Sequence, residues 1–308
     1  MSTGPAFIDA EMLQRILPVA AAVDALDAAF SAGFGDDPLR TSIGVADGDL
    51  LVMPAAAAGG FGVKLVTIAP ANPAQGLPLV QGLYVLFAPG SLTPIALIDG
   101  AALTVARTAA VSALATRYLA RTDAARLVIF GAGPQARSHA FATSAVRPVE
   151  HVTVVSRTAG RAAALVADLR AAGVDATVGH PDAVGQADII CTCTTSDTPV
   201  LVGEMLSPGV HINAVGAYKP TARELDTHTM RRGRVVVEQR AAALEEAGDL
   251  CIPIADGMLS PDDIVADLPE LVAGAGVRRS PGDITVFKSV GLAMEDLAVA
   301  IAAVARMG

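Results

Sequence analysis

Residues 126–136 read RLVIFGAGPQA: an apolar run, a glycine break, and the start of an Ala-rich segment. Leu127–Phe130 have the composition of a short buried strand. Gly131, Gly133 and Ala136 follow at G-x-G-x-x-A spacing. Small residues at these positions let the backbone turn tightly and bring a pyrophosphate to the amino end of the next helix. The bare triplet also fits an ordinary structural turn, but a strand before it and a helix after it favour dinucleotide binding.

The texture of this stretch continues downstream. HVTVVS (151–156), ADIICTC (187–193), GVHINAVG (209–216) and RVVVE (234–238) are short apolar runs between Ala-rich segments. That alternation predicts α/β architecture, with parallel strands and crossover helices in a doubly wound sheet. Upstream the pattern differs. An amphipathic helix is expected from Asp9 to about Ala32, followed by strands in LLVMPAAA (50–57), FGVKLVTIA (61–69), VQGLYVLFA (80–88) and PIALID (94–99), an α+β arrangement. SVGLAMEDLAVAIAAVARM (289–307) reads as an amphipathic helix lying beyond the α/β pattern, its aliphatic stripe a packing face. The expected division is therefore 1–119 with 289–308, built from both chain ends, and 120–288 for the doubly wound domain. A chain of 308 residues lies where single cores give way to two.

Composition narrows the functions. Hydrophobic residues make up 52% of the chain and charged residues 17%, consistent with a large buried interior. Gly, Pro or a charge breaks each apolar run before the roughly 20 residues that a spanning helix needs. MSTGPAFIDAEML lacks the basic and apolar regions of a signal peptide, so a soluble, cytoplasmic protein is expected, with no membrane partner. A net charge of −9 argues against a nucleic-acid partner. Cys191, Cys193 and Cys251 are an odd number and read as reduced thiols. The first two do not complete a tetrahedral metal site, and His139, His151, His180, His211 and His228 have no metal spacing, so no metal is expected.

At the end of the strand after the glycine turn, an NAD site usually presents an acid to the ribose hydroxyls. Here the residues are Ser156, Arg157 and Thr158. A guanidinium and two hydroxyls suit a 2′-phosphate, which favours NADP(H), with NAD(H) as the alternative; otherwise Arg157 is merely solvated.

Cations in apolar surroundings supply a second signal. Lys64 is the only charge between Asp49 and Asp99, and Arg107 the only one between Asp99 and Arg117. Counted in threes and fours, Arg107 shares a helix face with Leu103, Ala110, Val111 and Leu114. Buried cations need a partner. An internal salt bridge or a stem reaching water would serve, but the neighbouring sequence offers few acids, which favours a bound anion. Arg40 carries less weight, because Asp36 and Asp37 stand beside it.

GVKLVTIAPANPAQGLPLVQG, LTVARTAAVSALATRYLA, VIFGAGPQA, HINAVGAYKPTARELD and FKSVGLAMEDLA together resemble the ornithine cyclodeaminase/mu-crystallin family, from about Arg40 to the C-terminal helix. The resemblance implies a homodimer with a Rossmann-type domain and a substrate-binding and dimerisation domain. It also implies that Arg40, Lys64 and Arg107 hold the carboxylate of an amino or imino acid beside the nicotinamide. Gln135 would join Gly131, Gly133, Pro134 and Ala136 in the cofactor loop. Ser156, Arg157, Thr158, Thr194, Val215, Ser289 and Arg107 would be further cofactor contacts, and Val290 a substrate contact.

Cyclodeaminases of the family resemble INAxGxDxPGKxEL, with an acid where this chain has Tyr218 and a lysine where it has Ala222. A phenol with an ordinary pKa near 10 replaces a carboxylate base poorly. GAYKPTAREL is more similar to the ketimine-reductase branch. The resemblance then implies reduction of Δ1-pyrroline-2-carboxylate or Δ1-piperideine-2-carboxylate to L-proline or L-pipecolate, by hydride transfer to C2. Lys64 is the candidate catalytic residue to orient the substrate and exchange its proton, because desolvation lowers the pKa of an ammonium. Glu224 and Asp226 read as structural acids at a helix start. The alternatives are an amino-acid dehydrogenase, a cyclodeaminase-like enzyme, or a non-catalytic NADP(H)-dependent ligand-binding protein.

Overall fold

Pro18 divides the amino-terminal helical segment. Its ring carries no N–H to continue a helix, so the stretch expected as one helix from Asp9 is two, α1 (Ala10–Ile16) and α2 (Val19–Ala32), preceded by the strand β1 (Ala6–Ile8). Asp9 caps α1 by accepting from the Met12 amide at 2.8 Å. The computed structural model describes residues 4–33 and 40–307; Asp36 and Asp37, weighed above as partners of Arg40, lie outside them.

The chain forms two compact units, Met1–Arg107 with Leu292–Gly308, and Thr108–Gly291. In the first, β2 (Thr41–Val45), β3 (Gly48–Ala57), β4 (Gly60–Ile68), β5 (Val80–Phe87) and β6 (Pro94–Asp99) join β1 in a sheet ordered β1-β6-β5-β4-β3-β2. Every pairing is antiparallel except that of β1 with β6. Side chains alternate across a strand. On β4, Gly62, Lys64 and Val66 are therefore buried, while Phe61, Val63 and Leu65 occupy the opposite face. α3 (Gly100–Leu119) follows β6, and the division between the units falls inside it.

The second unit contains β7 (Arg126–Phe130), α4 (Pro134–Ser144), β8 (His151–Val155), α5 (Ala159–Ala171), β9 (Ala176–Val178), β10 (Ile189–Thr192), β11 (His211–Ala214), α6 (Thr227–Arg232), β12 (Gly233–Val237), α7 (Arg240–Glu246), α8 (Gly248–Ala255), β13 (Ile264–Asp267), α9 (Leu268–Val272) and β14 (Ile284–Lys288). Its eight strands run parallel in the order β13-β12-β14-β11-β10-β7-β8-β9. Leu127, Ile129, Val152, Val154 and Ile189 pack against Ala136 and Ala140 of α4 and Leu165 and Leu169 of α5. β14 lies between β11 and β12, although its residues precede the segment expected to be helical from Ser289. The helix itself, α10 (Ala293–Val304), begins later and packs on α2, β3 and β4 of the first unit.

The sequence placed the cuts after residues 119 and 288, whereas the units part after Arg107 and Gly291. Hydrogen bonds tie the carboxyl half of α3 to the second unit: Asn213 Nδ2 donates to Thr116 Oγ1 at 2.9 Å, and Ser112 Oγ meets His139 Nε2 at 2.9 Å. Guanidinium groups close the end of the helix, with Arg147 on the Arg117, Ala120 and Arg121 carbonyls and Arg278 on that of Leu119.

Burial holds two histidines neutral, His139 down to about 4 and His211 down to about 3. Both values lie below the unfolded value near 6.5, so below that pH the unfolded chain binds more protons and stability falls. Urea unfolding between pH 7 and 5 is expected to show a loss on the order of 1–2 kcal/mol per histidine. His139→Gln should flatten the profile, and a flat wild-type profile would contradict neutral burial.

Candidate functional site

In the second unit, β8 and β9 extend from one side of β7, and β10, β11 and β14 from the other. The carboxyl ends of β7 and β10 thus flank a topological switch point, where open parallel sheets bind ligands. Gly131 turns there at φ 117°, its N–H donating to Val155 O at 2.9 Å. A methyl group on Gly131 would come within 2.5 Å of the Cys193 carbonyl oxygen. Gly133 caps α4 with no side-chain hydrogen bond, Pro134 occupies the first turn, and the space beside Gly133 is open. Ala136 is buried beneath the turn, and among the described residues Gln135 Oε1 is buried without a hydrogen-bond partner. After β8, Arg157 and Thr158 are exposed, and Thr158 caps α5 with no side-chain bond. This cradle fits a dinucleotide: the tight turn is present, the helix amino end carries no protein acid, and the exposed Arg157 follows β8.

Three buried acids fasten the neighbouring loops. Glu224 accepts from Thr192 Oγ1 at 2.8 Å, from both N and Oγ1 of Thr194 at 2.7 Å, and from Gly216 N at 2.6 Å. Burial raises its pKa, against the Lys288 charge and the Thr194 hydrogen bonds. Thr194, expected as a cofactor contact, therefore commits its N–H and hydroxyl to Glu224. Asp226 does start a helix, accepting from Thr229 N at 2.7 Å, but Glu224 instead ties together the loops after β10 and β11. Asp249 accepts from the Glu224 and Leu225 amides and pairs with Lys288, which also donates to Ala217 O at 2.6 Å. Glu238 accepts from Ser289 Oγ, Val290 N and Gly291 N, fixing the segment that carries two expected site residues. Val215 N donates to Thr192 O at 3.1 Å.

The cationic site lies within the first unit. Lys64 and Arg107 are 2% and 6% exposed, and Arg107 shares its inward face with the buried Leu103. Their partners come from the other end of the chain. Arg107 Nη1 donates to Glu295 Oε2 at 2.8 Å, Lys64 Nζ pairs with Asp296 Oδ2 at 2.7 Å, and Arg107 Nε lies 3.4 Å from Asp296 Oδ1. The internal salt bridge that the nearby sequence left unsupported is thus supplied by α10, whose first turn holds both acids, so the segment expected as a packing face carries charge as well. Burial lowers the Lys64 ammonium from 10.5 to about 8; Asp296 opposes the shift, and Arg107 and Arg40 add to it. The charges of Lys288, Glu238, Glu295 and Asp296 escaped the sequence reading, although each stands in or directly after an apolar run, the signal that marked Lys64. Tyr218 is half-buried. Among the described residues no group of three or more His, Cys, Asp or Glu could hold a metal, and no helix is long and apolar enough to cross a membrane.

A glycine turn at the switch point of an eight-stranded parallel sheet defines a Rossmann-type dinucleotide-binding unit, joined in one chain to an α+β unit with a buried cationic site. A sequence model of the ornithine cyclodeaminase/mu-crystallin family matches residues 7–306. A Delta(1)-pyrroline-2-carboxylate reductase of Bacillus cereus is 41% identical over 286 residues, 88% of this chain and 86% of the relative. The ketimine reductase mu-crystallin of Mus musculus is 38% identical over 311 residues, 97% and 96% of the two chains. The structure of Thermococcus litoralis Delta(1)-pyrroline-2-carboxylate reductase in complex with NADH and L-proline superposes with a TM-score of 0.93 at 34% identity, covering 98% of this chain and 97% of that one. The chain belongs to the ornithine cyclodeaminase/mu-crystallin family.

Gly131→Ala places a Cβ against main chain at a backbone angle that favours glycine. It is expected to lower stability by about 1–3 kcal/mol and to weaken NADPH binding at least tenfold, read by thermal melting and by quenching of NADPH fluorescence.

Proposed function

We propose that this protein is an NAD(P)H-dependent ketimine reductase that converts Δ1-pyrroline-2-carboxylate, Δ1-piperideine-2-carboxylate or both to L-proline and L-pipecolate. The observation that carries the reading is the spacing of Lys64 and Arg107. The two oxygens of Asp296 reach one cation each, at 2.7 and 3.4 Å, so the two donors are set at the bite of a single carboxylate. Ammonium and guanidinium are the donors that match the carboxylate of a cyclic imino acid. The named activities of the Bacillus and mouse relatives, and the L-proline and NADH of the Thermococcus complex, point the same way.

Reduction adds a hydride to C2 of the C=N bond and a proton to its nitrogen. A nicotinamide cofactor, when bound, supplies the hydride. Lys64, Arg107 and Arg40 would anchor the substrate carboxylate and hold the ring in one orientation, which lowers the entropic part of the barrier. With its proton affinity near working pH, Lys64 can also exchange a proton with the substrate. The glycine turn from Gly131 to Ala136 would take the pyrophosphate, while Ser289 and Val290, fixed by Glu238, and Val215 and Thr194 would border the nicotinamide. Ser156, Arg157 and Thr158 favour NADP(H) over NAD(H).

We also infer a cytoplasmic homodimer. The sheet face of the first unit opposite Lys64 carries Phe61, Val63 and Leu65 of β4 and Leu83, Val85 and Phe87 of β5, with the Phe61 and Phe87 rings stacked at 4.7 Å. This apolar surface fits a second copy of the chain.

NADPH oxidation with either imine is expected to lose about 100-fold in kcat/KM in Arg107→Ala and Lys64→Ala, roughly 3 kcal/mol of transition-state stabilisation. NADPH binding should persist in Lys64→Ala. In Arg157→Ala, kcat/KM for NADPH should fall about tenfold, with that for NADH little changed. Absence of turnover with both imines, despite NADPH binding, would refute the reductase reading. Leu65→Lys should convert the dimer to monomer in light scattering, and an unchanged mass would reject this face as the interface.

A further inference from the structure

The cationic site contains two acids, and only one answers a cation that can lose its charge. Glu295 and Asp296 are the only charged residues between Lys288 and Arg306, and both are fully buried. Glu295 engages Arg107, whose guanidinium stays protonated at any working pH. Asp296 engages Lys64 through Oδ2 and approaches Arg107 through Oδ1.

We propose that Asp296 is a positioning residue of the reductase: its carboxylate holds the Lys64 ammonium and the Arg107 guanidinium together as a preassembled receptor for the substrate carboxylate. The inference rests on the reductase reading for its consequence in turnover, but not for its effect on Lys64. An ammonium has three donors, so a bond to Asp296 does not exhaust it.

Three segments around Lys64 carry the charges that set its protonation. α10 supplies Asp296, with Glu295 beside it on Arg107; α3 supplies Arg107; the segment before β2 supplies Arg40. On the flanking strands, the positions opposite Lys64 are Tyr84 of β5 and Met53 of β3. Desolvation and the two guanidinium groups favour loss of the proton, and Asp296 retains it. A neutral amine would no longer complement a carboxylate, so Asp296 sets the pH range over which the receptor is complete.

The chain contains three lysines, Lys64, Lys219 and Lys288, so a protein labelled with 13C at lysine Cε gives a readable titration without substrate or cofactor. Lys64→Arg assigns the resonance. The wild-type resonance is expected to titrate near pH 8, and that of Asp296→Asn at about pH 7 or lower. Glu295→Gln should leave the midpoint in place, because Glu295 bonds Arg107 and is not among the charges that shift Lys64. In steady-state assays, the alkaline fall of kcat/KM should move down in Asp296→Asn, disappear in Lys64→Arg and stay fixed in Glu295→Gln. If Asp296→Asn does not fold, Asp296→Glu keeps the charge on a longer stem and should preserve the Lys64 midpoint while raising KM for the imine at least tenfold.

Identical Lys64 titrations in Asp296→Asn and wild type, or equal displacement by Asp296→Asn and Glu295→Gln, would overturn the proposal, as would an unchanged KM in Asp296→Glu. A shifted Lys64 titration in a protein that turns over neither imine would refute the reductase reading alone.

Discussion

A charge withdrawn from water needs an opposite charge or a bound ion, and the first unit meets that demand with residues from the two ends of the chain. Lys64 on β4 and Arg107 on α3 face Asp296 and Glu295 on α10. These pairs constrain α10 in a way that its apolar contacts do not. A helix of Ala, Leu, Ile and Val can slide or rotate over a sheet at modest cost, whereas moving its two carboxylates off their cations would strand buried charge. Because Asp296 spans both cations, the pairs also fix the separation of two donors, which makes a stabilising contact into a recognition site.

The second unit applies the same logic to its backbone. Glu224 and Glu238 accept main-chain N–H groups just past the carboxyl ends of β10, β11 and β14, and Asp249 accepts those of Glu224 and Leu225. Loops at strand ends lack the ladder hydrogen bonds that order the strands themselves. A buried carboxylate that accepts several N–H groups gives such a loop one conformation, so its geometry is set before a ligand arrives. Gly216 shows how tight the fit is: a side chain there would meet Glu224 Oε1 at 2.5 Å.

Local patterns in the sequence carried the doubly wound sheet, the glycine turn and the inward face of Arg107, because strand period, helix period and turn chemistry are written in adjacent residues. Pairings across the chain were not legible in that way. Arg107 and Glu295 are 188 positions apart, and nothing local relates them. β14 was hidden because ITVFK runs directly into the segment that resembles a helix, and the helix start was misplaced because Ser289, Val290 and Gly291 are held outside the helix by Glu238, far back in the sequence. The break at Leu17–Pro18 was visible as a proline, but amphipathic spacing continued across it. For the candidate site, the cations could be named from their isolation in apolar runs. The same isolation marks Glu295, Asp296 and Lys288, whose meaning depends on what faces them.

The placement of the lysines has a practical consequence. Lys64 and Lys288 are buried, and of the three lysines only Lys219 is exposed. Among side chains, amine-directed reagents such as succinimidyl dyes, biotin esters and surface-coupling chemistries therefore have one ready target on the folded protein. Lys219 stands three residues after Gly216, on the loop that Glu224 and Lys288 secure. A side-chain label introduced by ordinary amine chemistry would report on that loop, at a position the fold selects without engineering.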